Sequence, residues 1–169
     1  MSALFRLASL SCGLCLAAIA FFSACSSSPR DLLGTGDGVD SLKADLVPGP
    51  VEAPRGLRLD EPLQMNVVVN NAGNRTAGPG WVIRVLLSRD SQIDSSDQQI
   101  DQFVTTRELS PGAQDRYLRN KKLSGVLPGD YYIGSILDVT GVVPETNEEN
   151  NRLTGAAIIT LEGSHDPPS

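Results

Sequence analysis

Residues 138–151, DVTGVVPETNEENN, gather Asp138, Glu145, Glu148 and Glu149 with Asn147, Asn150 and Asn151. Oxygen-bearing side chains at this density suit three kinds of chemistry. Asp138, Glu145 and Glu148, helped by asparagine carbonyls, are hard ligands of the kind calcium takes, although the D-x-D-x-D-G spacing of a helix-loop-helix calcium site is missing. Asparagine and aspartate side chains also bond nearby backbone N–H groups in place of absent strand partners. On that reading Asn147, Asn150 and Asn151 form a polar clasp that sets the register of the last strand. Glu145 or Glu148 then accepts from backbone amides or pairs with Arg152, while Gly141 supplies a turn position and Pro144 fixes φ. The third reading is direct contact of these residues with a partner, since loops carry recognition disproportionately.

A second acidic run, SRDSQIDSSDQQID, carries Asp90, Asp94, Asp97 and Asp101. Aspartate and serine in this order are equally the vocabulary of Asx turns in a solvated loop. Catalysis finds little to work with. All three cysteines, Cys12, Cys15 and Cys25, lie near the N-terminus, and the single histidine, His165, lies in the C-terminal tail. A serine–histidine pair would have to recruit that tail residue into fixed geometry. No histidine pair exists for zinc, and no glycine-rich loop opens a helix for phosphate. Paired carboxylates are abundant, but a small sandwich offers no evident deep cleft for them. A non-enzymatic role, with no catalytic residues and no cofactor beyond a candidate calcium ion, is the expectation.

The elements that must position these residues begin after an export signal. MSALFRLASLSCGLCLAAIAFFSAC has one positive charge at Arg6, an apolar stretch from Leu7 to Phe22 and then small residues. Its last residues, FSAC, resemble the lipobox of bacterial lipoproteins, with Phe22 in place of the usual leucine. That resemblance implies a signal peptide over residues 1–24 and a lipidated Cys25, palmitate included, anchoring the protein to a membrane. Ser26 after the cysteine implies the outer membrane, on its periplasmic face or at the cell surface. Residues 26–43, SSSPRDLLGTGDGVDSLK, read as a tether that reaches roughly 20–25 Å as a flexible coil. Residues 163–169 read as a disordered tail.

Beyond Cys25 there is no cysteine, so the exported domain cannot rely on a disulfide. Removing residues 1–24 deletes only Arg6 from the charge count and takes the net charge from −6 to −7. An acidic chain argues against nucleic acid as a partner and is compatible with cations, basic proteins or neutral glycans.

Residues 44–162 have a different texture. LQMNVVVNNAG alternates Leu63, Met65, Val67 and Val69 against Gln64, Asn66, Val68 and Asn70, a period of two that predicts a half-buried strand. WVIRVLLS repeats it with Trp81, Ile83, Val85 and Leu87, and GDYYIGSILD with Tyr131, Ile133, Ser135 and Leu137. RLTGAAIITL adds a β-branched run. Weaker strands fit ADLVPGPVEA, QIDQFVTT and DRYLRNKKL, the last polar enough for an edge strand. No helical period appears. About seven short strands punctuated by Gly, Pro, Asn and Asp predict an all-β, single-domain, immunoglobulin-like antiparallel β-sandwich. In it Trp81 is a core aromatic, and Tyr131 after the proline-glycine turn sits where a tyrosine corner would.

In order, these segments resemble the CARDB domain, an adhesion-related module of bacterial and archaeal surface proteins. ADLVP is similar to its opening strand, VVVNNAGNRTAGPGWVIRVLLSRD to its second and third strands, and LSPGAQ and LPGDYYIGSILD to later landmarks. DVTGVVPETNEENNR is similar to its Asp and Val-x-Glu-x-Asn-Glu-x-Asn-Asn signature, with Asp138, Val143, Glu145, Asn147, Glu148, Asn150 and Asn151 on those positions. The resemblance implies an immunoglobulin-like sandwich, with residues 138–151 linking its last two strands, and a role in adhesion or surface interaction. The combined expectation is a lipoprotein with one such domain that binds a protein or glycan at the cell envelope. The alternative is a spacer or subunit of an envelope assembly, with calcium as a structural ion.

Overall fold

The alternation of Leu63, Met65, Val67 and Val69 is realised in a computed structural model that describes residues 42–153 and 157–164. The expected signal peptide, Cys25, most of the tether, and the tail with His165 lie outside the described residues. Eight strands follow in chain order: β1 (Leu46–Glu52), β2 (Gly56–Arg58), β3 (Pro62–Asn71), β4 (Val82–Ser88), β5 (Gln98–Val104), β6 (Gln114–Lys122), β7 (Gly129–Ile136) and β8 (Ala157–Glu162). They form two sheets, one ordered β1-β3-β6 and the other β2-β8-β7-β4-β5. All pairings are antiparallel except the short parallel contact of β2 with β8. The molecule is an immunoglobulin-like β-sandwich.

The expected count of about seven strands becomes eight because the chain divides its first stretch between the sheets. β1 pairs with β3, its register slipping between Pro48 and Val51. Two prolines in seven residues leave the strand short of donors, which confines it to an edge. The chain then crosses to the facing sheet as β2. Its three residues, Gly56–Arg58, pair with Thr160, Leu161 and Glu162.

Side chains at every second position meet between the sheets. Leu63, Met65, Val67 and Val69 from β3 face Ile83, Val85 and Leu87 from β4, Tyr131 and Ile133 from β7, and Ile159 and Leu161 from β8. Trp81, the residue before β4, is fully buried among them. Each such aliphatic side chain contributes about 1.5–3 kcal/mol when fully withdrawn from water, and with no disulfide available this core is the principal source of stability. Val68 points away from this core yet is buried, because the slipped stretch of β1 lies over it: a Cβ on Gly49 would stand 2.7 Å from a Val68 methyl. A smaller cluster of Leu86, Ile93 and Ile136, with Tyr132, Val139 and Leu153 packed against it, covers part of the outer face of the five-stranded sheet.

The flank where β5 and β6 face one another is closed by charge. Asp101 on β5 accepts from Arg119 Nε at 2.7 Å and lies 3.0 Å from Lys121 Nζ, both on β6. Burial pushes the Asp101 carboxyl up, but its bonds to Arg119 and Lys121 outweigh that and hold it below its ordinary value. Arg119 also lies 4.3 Å over the Phe103 ring, which packs at 5.4 Å on Tyr117. Polar β6 is thus an edge strand whose half-buried residues reach the opposite sheet.

At the start of β7 the tyrosine corner forms as expected. Tyr131 Oη donates to the Leu127 carbonyl at 2.9 Å and accepts from Arg89 Nη2 at 2.6 Å. The Arg89 guanidinium lies 3.8 Å over the same ring. Gly129 is required beside it: its φ is +141°, and a Cβ there would stand 2.6 Å from Arg89 Nη1.

Candidate functional site

The carboxylates and asparagines of residues 138–151 lie at the end of the sandwich where the chain enters β1. Their loop leaves β7 through Asp138, which adopts a positive φ of 39°, a conformation aspartate tolerates better than most residues. The Gly141 amide donates to the Asp138 carbonyl at 2.9 Å and closes a turn. The Asp138 carboxylate then accepts from the amides of Val142 at 3.2 Å and Val143 at 2.7 Å. One buried side chain thereby fixes the loop's first bend and seats Val143 against the core.

Glu145 fastens the loop to the first strand. It is 2% exposed, and its Oε2 accepts from the Leu46 amide while its Oε1 accepts from Asn151 Nδ2 at 3.0 Å. Backbone contacts run alongside, with an isolated bridge between Ala44 and Glu145 and a Thr146 N–H to Ala44 carbonyl bond of 2.9 Å. Burial pushes the Glu145 carboxyl up to about 7. The bonds from Leu46 and Asn151 oppose the rise, and the negative charges of Glu148 and Asp138 add to it.

The remaining signature residues complete the loop. Glu148 Oε1 accepts from the Glu145 amide at 3.0 Å, and Asn147 Oδ1 accepts from the Glu149 amide at 3.0 Å. Asn150 Nδ2 donates to Asp45 Oδ1 at 2.8 Å. The Asn151 carbonyl accepts from the Leu137 amide at 2.8 Å, and Arg152 bridges to Ile136. The loop is therefore bonded to β7, but its long-range fastening is to the entry of β1 rather than to the last strand alone. Among the described residues Arg152 forms no ion pair with Glu145 or Glu148.

One contributor is not anticipated by the signature. Asn71, at the end of β3, is buried and makes four bonds: Nδ2 donates to the carbonyls of Arg75 at 2.8 Å and Leu109 at 2.9 Å, and Oδ1 accepts from the amides of Asp45 at 3.1 Å and Gly73 at 3.0 Å. It joins the entering chain to two further loops. A Cβ on Gly73 would stand 2.6 Å from the Asp45 nitrogen, so the turn after Asn71 admits only glycine without a shift. The sequence signal was the asparagine pair before a glycine, which marks a turn but not its distant partners.

What this arrangement does chemically follows from where its oxygens point. Both oxygens of Asp138 and of Glu145, and one of Glu148, accept from N–H groups of the protein itself. Among the described residues no group of three or more His, Cys, Asp or Glu side chains stands as a metal cluster would. In the second acidic run, Asp90 accepts from the Gln92 amide, Asp94 from the Ser96 amide and hydroxyl, and Asp97 from the Asp94 amide. The Ser96 bonds hold Asp94 below its ordinary value. These are turn-forming bonds. Glu145, though it titrates near neutrality, has no exposed face from which to exchange a proton with a substrate.

Beside the clasp runs a groove of about 570 Å3, walled by Leu42, Lys43, Arg75, Pro79, Val142 and Pro144. It faces outward with apolar side chains, Leu42 and Val142 being 41% and 57% exposed.

Known proteins share this architecture. The CARDB domain of a Pyrococcus furiosus protein, solved in complex with di-metal ions, is 19% identical with a TM-score of 0.53, the match covering 71% of this chain and 90% of that one. A domain of a Methanosarcina acetivorans protein named as a cell surface protein is 21% identical with a TM-score of 0.55, covering 73% of this chain and 96% of that one. No curated protein matches the sequence. The family model described as CARDB matches residues 43–155, from the entry to β1 through the clasp, and the chain belongs to that family.

Proposed function

We propose that the protein is a non-catalytic binding module of the cell envelope, held to the outer membrane by lipid on Cys25, whose sandwich engages a protein or glycan partner. The observation that carries the non-catalytic part is the commitment of the clasp carboxylates to backbone amides, which leaves them holding loops together rather than facing a substrate. Membership of a family with a cell-surface relative supports the envelope address. The FSAC stretch ending at Cys25 supports the anchor.

Three measurements test the reading. Palmitate labelling of the full chain should be lost in Cys25→Ala, and labelling that survives ends the anchoring claim. Affinity purification from membranes and glycan-array binding should yield a saturable partner for the wild-type protein. A stoichiometric partner that binds without regard to any exposed loop would instead favour the spacer reading, in which the domain is a subunit of an envelope assembly.

A further inference from the structure

The outer edge of β6 has the sequence and the geometry to pair with a copy of itself. β6 ends the three-stranded sheet, and among the described residues no strand lies on its other side. All nine of its residues, Gln114–Lys122, pair with β3 in one unbroken register, with no bulge and no proline to blunt the edge. Which backbone groups face outward follows from how the strand begins. The Asn71 amide donates to the Ala113 carbonyl at 3.0 Å, so alternation turns the N–H and C=O groups of Asp115, Tyr117, Arg119 and Lys121 toward β3. Those of Arg116, Leu118 and Asn120 point the other way, along the open edge. Leu118, at the middle of the strand, is 74% exposed, whereas Asn66 beside it on β3 is half-buried.

β6 carries four cations, a feature that generally keeps an edge strand from pairing. Three of them are already neutralised from neighbouring strands: Arg116 pairs with Glu52 of β1, and Arg119 and Lys121 pair with Asp101 of β5. A second β6 laid antiparallel, with Leu118 opposite Leu118, overlaps along the whole strand, because Gln114 and Lys122 are equally far from that centre. In this register Asp115 falls opposite Lys121, Tyr117 opposite Arg119, Arg116 opposite Asn120, and Gln114 opposite Lys122. No two like charges stand face to face, and the outward N–H and C=O groups of the two Leu118 residues meet. Moving the centre to Arg119 sets Arg119 against itself and Arg116 against Lys122, and like charges directly opposite are unfavourable. Moving it to Tyr117 leaves Lys121 and Lys122 beyond the end of the other strand.

We infer that the partner of this edge is a second copy of the chain. Two β6 strands pair antiparallel about a two-fold axis through Leu118 and join their three-stranded sheets into one continuous sheet. The contact is isologous, so it closes at two copies and leaves neither β6 edge open. It uses neither the clasp nor lipid on Cys25, so its failure and the failure of the function proposed above are separate results.

Oxidative cross-linking of the full chain in detergent, with micelles in excess over protein, tests the register. Across the axis the two Leu118 Cα atoms stand about 5.5 Å apart, inside the range of about 4.4–6.8 Å that a disulfide spans. Leu118→Cys should therefore give a dimer linked through position 118, mapped by mass spectrometry to separate it from links through Cys12, Cys15 or Cys25. Gln114→Cys alone should not link, because the two copies of that position lie roughly 27 Å apart along the strands. Gln114→Cys combined with Lys122→Cys should, since those positions stand opposite. Sedimentation of the wild-type chain should show mass rising with concentration, and Leu118→Asp, which sets two carboxylates together on the axis, should weaken association by about tenfold or more. Leu118→Pro should do the same, because the N–H it removes faces the open edge and the β3 ladder keeps every bond. Leu118 is a surface side chain, so an unchanged melt of Leu118→Asp separates loss of pairing from loss of the fold. A wild-type chain that stays monomeric up to roughly millimolar concentration, a Gln114→Cys link as abundant as the Leu118→Cys one, or a dimer indifferent to Leu118→Asp would overturn the inference.

Discussion

At the scale of single residues, Glu145 is the position where burial and charge are most directly opposed. Its ordinary carboxyl value is 4.5 and in the fold it stands at about 7, so between those values the folded protein holds a proton that the unfolded chain has released. Stability from this group is therefore fully present below pH 4.5 and is lost as pH rises through 7. The expected size is about 3 kcal/mol. Thermal melts of wild type and Glu145→Gln between pH 4.5 and 8 should show the wild type falling relative to the variant. The glutamine keeps an acceptor for the Leu46 amide, and Asn151, whose Oδ1 has no donor, can turn to accept from the new amide. Glu145→Ala should instead be destabilised at every pH by about 1–3 kcal/mol, because it strands the buried Leu46 N–H. If Glu145→Gln and wild type melt in parallel across that range, the carboxyl does not titrate where its burial places it.

Gly129 argues at the same scale. Alanine there meets both a positive φ and the Arg89 guanidinium, so Gly129→Ala should cost about 1–3 kcal/mol in denaturant melts. Tyr131→Phe, which removes one bond to Leu127 and one from Arg89 but keeps the ring, should cost about 1–2 kcal/mol.

At the scale of elements, the strands with a clear period of two are the ones the sequence makes legible. β3, β4 and β7 fall within a residue or two of LQMNVVVNNAG, WVIRVLLS and GDYYIGSILD because every second side chain of each is apolar and faces the core, although Val68, Leu86 and Ile136 on the outer faces are buried as well. β2 is not legible: three residues carry no period, and its pairing with β8 joins segments about a hundred positions apart. For the same reason the Asp and Glu residues are legible as a cluster and not as bonds. Glu145 reaches an amide 99 positions away, and Asn150 a carboxylate 105 positions away. Asp101 falls both in the acidic run and in the expected strand QIDQFVTT; it lies in β5, and its partners, which the sequence does not show, come from the edge of the other sheet. Removing it leaves Arg119 and Lys121 unpaired but about one-third exposed, so Asp101→Ala should cost only about 1–2 kcal/mol at pH 7. Its carboxyl is held low, so the contribution is present above its ordinary value of 3.8 and is lost as pH falls through the depressed one. The gap between Asp101→Ala and wild type should close in acid melts, and a gap that widens there would mean the pair is not what holds this flank.

At the scale of the whole molecule, a sandwich without a disulfide depends on its core and on the bonds that close its ends. The clasp oxygens already serve backbone amides, so excess chelator should shift the melting temperature by no more than about 1 °C, within the scatter of thermal melts. A drop of several degrees would mean that a structural calcium ion holds the loop after all. Partner identity was the part the sequence left open, and the fold explains why. Glu145 and Asn150 of the signature hold two distant segments together, so those positions describe how the domain closes.

The two ends of the described chain lie at opposite poles. Ala44 enters beside Glu145, while Leu161 leaves opposite Gly129 at the far end of β7. Tension applied between those two ends would therefore run along the strands and load their ladders in shear, many rungs at once, instead of peeling them one by one. The first bonds to feel that pull would be those of Lys43 to Asn74 and of Leu46 to Glu145, which makes the closing loop a mechanical fuse at the point where force arrives.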